Sequence, residues 1–530
     1  MAGDTAVDRD PSLVEEATGR FLDAVSIGGP FIAATVALVL ARGTLMPGVG
    51  FWDTAEFQTV PPLLGTLHPT GFPAYAIFGW IASIVLQPFG EPAFRMNLFS
   101  AACVATAVGL TVVLVRQLTG RAVLAVAAGL VLFLTRITWD ISTHADAHSL
   151  NLALLALLLV LLVAWEDRAR APGGSLPGTD RWLVAAAAAY AVAVANHTIV
   201  LLAAPGIACF VLLVDPGILR RRGLVARCVG VFAALTTAFY LELPLRAGPF
   251  RAPIVYGHPE TLAGFAYVVF GQQFTGALAG AVVDLGRRFH DLVDLTASQL
   301  GALAPLIPVG LAATVVRRPS YAVLTLPTLA LTCFFAISYV NADIDRYYLG
   351  PLLIAVTWAA IALDLAIRAV VAGLRSLGAR PTVVAGLAIE VVAAALFAYP
   401  AVGAAPTVGA IVDRRGDTGA AAWLDTALAE IKPGAVVISW WSYSTPLWYA
   451  QDIEGRRPDI TIIDDRTRLD DALGDVPAVI DRYLGQRPVY VIRLPTDTVA
   501  LEASYLLAFL PDPLESGLAE VVGRTTANQP

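Results

Sequence analysis

The sequence predicts a polytopic α-helical membrane protein with about 11–13 transmembrane helices and a C-terminal soluble α/β domain. Three observations predict it. Apolar residues fill 57% of the 530 positions and charged residues 15%; soluble globular chains run at roughly 45–50% and 25%. Uncharged apolar runs recur as far as Pro400, each long enough for the core of a membrane helix. After Pro400 the pattern turns to short strands alternating with helices.

The elements follow in order. Residues 1–26 form a polar, acid-rich N-terminal segment without the basic start or small-residue cleavage site of a signal peptide, so the first apolar run reads as an uncleaved helix. Residues 27–404 form the multi-helix membrane domain. Twelve candidate segments run from 27–44 to 382–400, several shorter than the roughly 20 residues of a clean crossing. The pair 182–196 and 198–214 reads as two short helices or as one broken element. Residues 405–530 form the α/β domain: "WLDTALAEIKPG" reads as a helix, "AVVIS" as a strand, "DITIID" as a strand, "LDDALGDVPAVIDRYL" as a helix and "PVYVIRL" as a strand.

Arginines at 220–222, at 317–318, and at 368, 375 and 380 mark one face as cytoplasmic, which puts the C-terminal domain outside the cell membrane. Simple alternation backwards from Arg220 puts loop 45–72 on the opposite face from that domain. Twelve full crossings also leave both chain ends on one side. One segment is therefore expected to stop short of a crossing, or one is missing; "TLAGFAYVVFGQQFTGALAG" is a candidate half-membrane element.

Several function classes drop out. The net charge is -7, with no basic stripe, which excludes a nucleic-acid partner. The four cysteines lie in apolar stretches without paired spacing and read as buried thiols. No Walker A motif, dinucleotide glycine fingerprint or GxSxG elbow is present, which argues against an ATP-driven pump and a serine hydrolase. A membrane transferase, a transporter or flippase for a polar or lipid-linked substrate, and a noncatalytic envelope scaffold remain.

The chemistry-bearing residues cluster in a few stretches. In "PGVGFWDTAEFQTVPPLLGTLHPTGFPAY", Asp53 and Glu56 lie three apart and share a helical face. They read either as a helix cap, with Asp53 at N-cap and Glu56 at N3, or as acids beside a lipid-embedded substrate. His68 orients a phosphate or caps the turn. "RITWDISTHADAHSLN" carries Asp140, His144, Asp146 and His148; its i,i+4 histidines are a weak metal signature, and a polar cavity wall is the alternative. His197 reads as a structural or substrate-facing histidine. Arg346, in "DIDRYYLGP", pairs with an acid or grips a phosphate, with Arg95 as a second phosphate candidate. The aromatic run "ISWWSYSTPLWYAQDIEGRRPDITIIDD", with Trp441, reads as a docking surface or an acceptor platform.

Together "GFWDTAEF", "HPTGFPAY", "THADAHSLNLALLALL", "YAVAVANHTIVLL", "DIDRYYLGP" and "LWYAQDIEGRRPDI" make the chain resemble the protein O-mannosyltransferase-like membrane family, itself similar to the GT-C glycosyltransferases. The resemblance implies a GT-C-like fold, an extracytoplasmic active site and a polyprenyl-phosphate sugar donor. It implies Asp53 as the catalytic acid of the first outer loop, Glu56 as its partner, and Asp146 in a second acidic loop. An inverting transfer with Asp53 as general base follows, with His68, His144, Asp146, His197, Arg346, Arg95 and Trp441 as substrate-binding candidates. The sugar is mannose, arabinose or another; the acceptor is a protein, lipid or glycan. No organic cofactor is implied, and a divalent cation on the acids stays open. Related members carry Asp-Ser-Gly-Glu where this chain has Asp53-Thr54-Ala55-Glu56.

Overall fold

A helix that is apolar all round has no water-facing side, so it packs in a bundle or faces lipid. The computed structural model describes residues 11–171, 176–278, 284–340 and 343–525. The N-terminal part is α1 (Pro11–Arg42), α2 (Trp52–Leu63), α3 (Pro73–Val85), α4 (Pro92–Thr119), α5 (Ala122–Leu134), α6 (Arg136–Asp140), α7 (Ala147–Ala169) and α8 (Leu176–Asn196). A 3-10 segment, Thr198–Ala203, runs into α9 (Ala204–Val214). Then come α10 (Arg222–Tyr240), α11 (Glu242–Ala247), α12 (Leu262–Val269), α13 (Leu285–Leu300), α14 (Leu306–Arg317), α15 (Pro319–Ser338), α16 (Leu349–Ser376) and α17 (Val383–Ile411). Among the described residues seven helices are long and apolar enough to cross a membrane, or eight when α13 and α14, bent by 84°, count as one span. The chain is a multi-pass membrane protein.

Contacts at the helix ends trace its path. Asn97, one turn into α4, donates to Met46 O at 3.0 Å, so α4 starts at the same end of the bundle as the loop after α1. The chain between them, including α3, therefore leaves and returns at one end. At the other end Arg121 meets Asp364 at 3.0 Å, Arg318 meets Asp167 at 2.8 Å and Arg221 meets Asp215 at 2.9 Å. Helices α3 and α5 and the Thr198–Val214 segment are apolar but shorter than the membrane-length helices. Stretch 261–280 is the half-membrane candidate of the sequence reading. That stretch folds as α12 and a 3-10 segment, Gln272–Leu278; its last two residues lie outside the described ones. The 182–214 pair is two separate elements, α8 and the Thr198–Val214 segment.

Small residues let some helices touch backbone to backbone. A Cβ on Gly310 would sit 1.8 Å from Trp358 O, and one on Gly206 2.3 Å from Leu324 O. Two boundaries differ from the sequence reading. Helix α1 already runs through residues 11–26, and α17 continues past 404 to Ile411, running through Pro400 and Pro406.

The C-terminal unit adds α18 (Gly419–Glu430), β1 (Val436–Ser439), α19 (Trp441–Trp448), β2 (Thr461–Asp464), α20 (Asp465–Asp470), α21 (Val476–Tyr483), β3 (Val489–Ile492), α22 (Pro495–Glu502), β4 (Tyr505–Phe509) and β5 (Leu518–Arg524). Sheet order is β2-β1-β3-β5-β4. Strands β1, β2 and β3 are parallel, and β5 runs antiparallel to β3 and β4. The three expected strands are present; the β4–β5 hairpin was not foreseen. The helix expected over 469–484 is broken by the Ala472–Gly474 turn into α20 and α21. Ligands gather at the carboxyl ends of parallel strands, and here those ends face the bundle: β1 leads into Trp441 and β2 into Arg466.

Candidate active site

The first loop is held by tertiary partners rather than by local capping. Phe51 is the N-cap of α2 and makes no side-chain cap bond, so Asp53 is not the cap. Trp52 adopts φ 57°, a left-handed conformation costing about 1–2 kcal/mol for a bulky residue. Its ring packs edge-on against Trp440 at 4.9 Å, while Phe51 lies between Trp423 and Tyr443. Gln58 spans the loop: Oε1 accepts from Gly50 N at 2.8 Å and Nε2 donates to Asn97 Oδ1 at 2.8 Å. Asn97 Oδ1 also accepts from Ala145 N at 2.9 Å, so one amide ties the Asp53 loop to the Asp146 loop.

The two acidic loops meet on a single guanidinium. Arg346 donates through Nη2 to Asp53 Oδ2 and through Nη1 to Asp146 Oδ2, both at 2.9 Å. Trp441 Nε1 donates to the other Asp53 oxygen, Oδ1, at 2.9 Å. Asp146 caps α7, accepting from His148 N at 2.7 Å and His148 Nδ1 at 2.9 Å. Glu56 turns away from Asp53, accepts from His68 N at 2.7 Å and pairs with His68 Nδ1.

Exposure separates the three acids. The Asp53 side chain is 24% exposed, that of Asp146 3% and that of Glu56 0%. Of the three, Asp53 alone lines a cavity. Burial pushes the Asp53 carboxyl up, but the His68 and Arg346 charges outweigh it and hold the group below its ordinary range. Asp146 is likewise held low by Arg346 and the flanking histidines against the cost of burial. Burial raises Glu56. Burial works to lower His68, but Glu56 and Asp53 prevail and raise it.

Asp53 lies on the wall of a cavity of about 980 Å³ between the bundle and the sheet unit. His68, His197, Arg346 and Trp441 also line it. Its opposite wall is apolar, including Leu201, Phe232, Leu241 and Val269. The structure therefore brings together Asp53, His68, His197, Arg346 and Trp441, with Glu56 and Asp146 directly behind them. It does not bring in Arg95 or His144. Arg95 donates to Ser83 O at 2.7 Å and fastens α4 to α3. His144 lies beside Thr143, near the Arg414–Asp140 pair, and burial lowers its basicity. Among the described residues no group of three or more His, Cys, Asp or Glu side chains has the arrangement of a metal site.

Two cavity residues were missed. Tyr347 adjoins Arg346 and packs on His148 and His197. Arg466 follows β2 and reaches across the Tyr256 and Trp441 rings. The sequence signal for Arg466 is its place just past a parallel strand.

Comparison with known proteins bears on this site. Residues 53–216, which begin at Asp53 and include His68, Asp146 and His197, match the family model for the protein O-mannosyl-transferase TMEM260 N-terminal domain. The chain is 30% identical over 252 residues to protein O-mannosyl-transferase TMEM260 of Mus musculus, a match covering 46% of this chain. It spans 33% of that relative's length. Among solved structures, ArnT from Cupriavidus metallidurans bound to undecaprenyl phosphate superposes with a TM-score of 0.58 at 15% identity, covering 93% of this chain and 97% of ArnT. Archaeal oligosaccharyltransferase AglB from Archaeoglobus fulgidus, in complex with an inhibitory peptide and a dolichol-phosphate, superposes at 0.55 and 13% identity, covering 95% and 75%. The fold is GT-C-like.

Proposed function

We propose that this chain is a GT-C-type membrane glycosyltransferase that moves a sugar from a polyprenyl-phosphate donor to an acceptor hydroxyl, with Asp53 as general base. The observation that carries the proposal is the Asp53 carboxylate: exposed to a large half-apolar cavity, ionised, and oriented by Arg346 and Trp441. A base must lie within hydrogen-bond reach of the proton it removes and be unprotonated at working pH. The depressed pKa of Asp53 supports the second demand, and each of its oxygens spends one bond on an orienting partner and keeps acceptor capacity for a substrate hydroxyl. Asp146 shares Arg346 and fixes it in place, and Glu56 with His68 anchors the loop behind the base.

The apolar wall suits a prenyl tail, and the polar wall suits a phosphosugar head. The undecaprenyl phosphate on ArnT and the dolichol-phosphate on AglB lie on similar folds and support this donor class. The mouse relative's name and the peptide on AglB make a protein hydroxyl the first acceptor to try and mannose the first sugar. The arginine-rich helix ends indicate the cytoplasmic face, so the cavity opens on the extracytoplasmic side. Arg346 already occupies the position between Asp53 and Asp146, so the reaction is proposed to run without a divalent cation there.

One displacement inverts the anomeric centre. NMR of the product made from a mannosyl polyprenyl phosphate of known configuration is expected to show the opposite anomer, formed equally well with EDTA present. Retention of configuration would sink the mechanism, and loss of turnover with EDTA would return a metal to the acids. Movement of the lipid-linked sugar across vesicles without transfer would replace the enzyme by a transporter.

A further inference from the structure

We infer that Arg466, delivered by the sheet unit, grips the phosphate of the lipid-linked donor and stabilises it as the leaving group. The inference rests on the glycosyl-transfer reading above and deepens it.

The argument is one of charge. Arg346 faces the cavity, but its two Nη atoms are taken by Asp53 and Asp146, which leaves only its buried Nε without a partner. Swinging it onto a phosphate would strip the buried Asp146 and the cavity-facing Asp53 of the guanidinium they share, at high cost. His68 is committed to Glu56. Arg466 differs from both. It lines the same cavity, and its guanidinium carbon lies 5.0 Å from the Tyr256 ring centre and 5.7 Å from that of Trp441. Its Nη1 is buried without a hydrogen-bond partner. Of the two acids before Arg466 in sequence, Asp465 accepts from Arg493 at 2.7 Å and Arg468 at 3.4 Å, and Asp464 spends Oδ1 on Thr467 N and Thr467 Oγ1, both at 2.7 Å. A planar fork with a buried, unused donor, braced on two aromatic faces, is built for an oxyanion.

The transfer places charge where Arg466 can use it. The acceptor oxygen bonds to the anomeric carbon, and the bond from that carbon to the phosphate oxygen breaks. The acceptor proton passes to Asp53, so one negative charge disappears there. The donor phosphodiester, with one negative charge, leaves as a monoester with two. Charge thus moves from the Arg346 side of the site to the phosphate. The Trp441 indole joins the two ends: its Nε1 holds Asp53 and its ring carries Arg466. The sheet unit therefore supplies one contact to the base and one to the leaving group.

Undecaprenyl phosphate and undecaprenol, titrated into purified full-length protein in nanodiscs, separate phosphate binding from tail binding. Wild type is expected to prefer the phosphate lipid. Arg466→Met keeps the apolar stem on the two rings and is expected to cut that preference about 10- to 100-fold. Arg466→Lys keeps the charge and is expected to restore part of it. Thermal midpoints check folding, and Arg466→Gln repeats the measurement if the Met variant melts early. An unchanged preference in a folded neutral variant overturns the inference and leaves the glycosyltransferase reading standing. A wild type that does not distinguish the two lipids overturns the reading and the inference with it. Inorganic phosphate displacing the lipid at equal concentration overturns the lipid-linked source.

Discussion

At the residue scale the reaction turns on which carboxylate is open and ionised. Asp53 has its folded pKa depressed, so its base form persists as pH falls to below the ordinary aspartate value of about 3.9. Its contribution to stability is likewise present above that value and lost as pH drops through the lower folded one. His68 is raised, so the stability its protonation lends the pair with Glu56 is fully present at about pH 6.5, while Glu56 stays ionised, and is lost as pH climbs through the raised value. Transfer rate against pH is therefore expected to be flat through neutral pH, with its acid limb below about pH 4 and an alkaline limb that Glu56→Gln shifts. An acid limb near pH 6, removed by changing Asp53, would contradict the assignment. The spacing of Asp53 and Glu56 fitted a helix cap as well as a catalytic acid. The sequence left that open because the deciding partner, Arg346, lies 293 residues away.

At the element scale the open question is the path of helix α3, which is expected not to cross. Its apolar run reads like a short membrane span, and only the bond from Asn97 back to Met46 shows that the chain returns to the end it left. Local hydropathy reports how apolar a segment is and not where its ends lie, which is why the multi-helix character was legible and the parity was not. Single cysteines in a background without the four native ones test this. Glu91→Cys, between α3 and α4, and Asp425→Cys, in the sheet unit, are expected to react with an impermeant thiol reagent from the same side of a sealed vesicle. Leu377→Cys, between α16 and α17, is expected to react only from the other. Labelling of position 91 together with position 377 would show that α3 crosses after all.

At the scale of the whole molecule the bundle and the sheet unit share one site. The bundle supplies Asp53, Asp146, His68, His197 and Arg346; the sheet unit supplies Trp441 and Arg466. Further bonds hold the halves together, with Tyr449 Oη accepting from Ala93 N at 3.1 Å and Asp470 Oδ2 accepting from Gly257 N at 2.8 Å. Fold class, the α/β character of the tail and the two acidic loops could be read from composition, alternation and motif. The β4–β5 hairpin could not, because its strands alternate buried and open positions irregularly, and a register shift lies between Leu506 and Leu507. Arg95 and His144 looked as suitable as Arg346 and His68, since residue type alone does not reveal which side of a helix end faces the cavity. The central claim is that Asp53 is the base of a glycosyl transfer. Single-turnover transfer from a polyprenyl-phosphate sugar, measured for wild type and Asp53→Asn with matched folding and matched donor binding, tests it most directly. A loss of about 10²- to 10⁴-fold is expected for the variant; transfer at the wild-type rate would contradict the account.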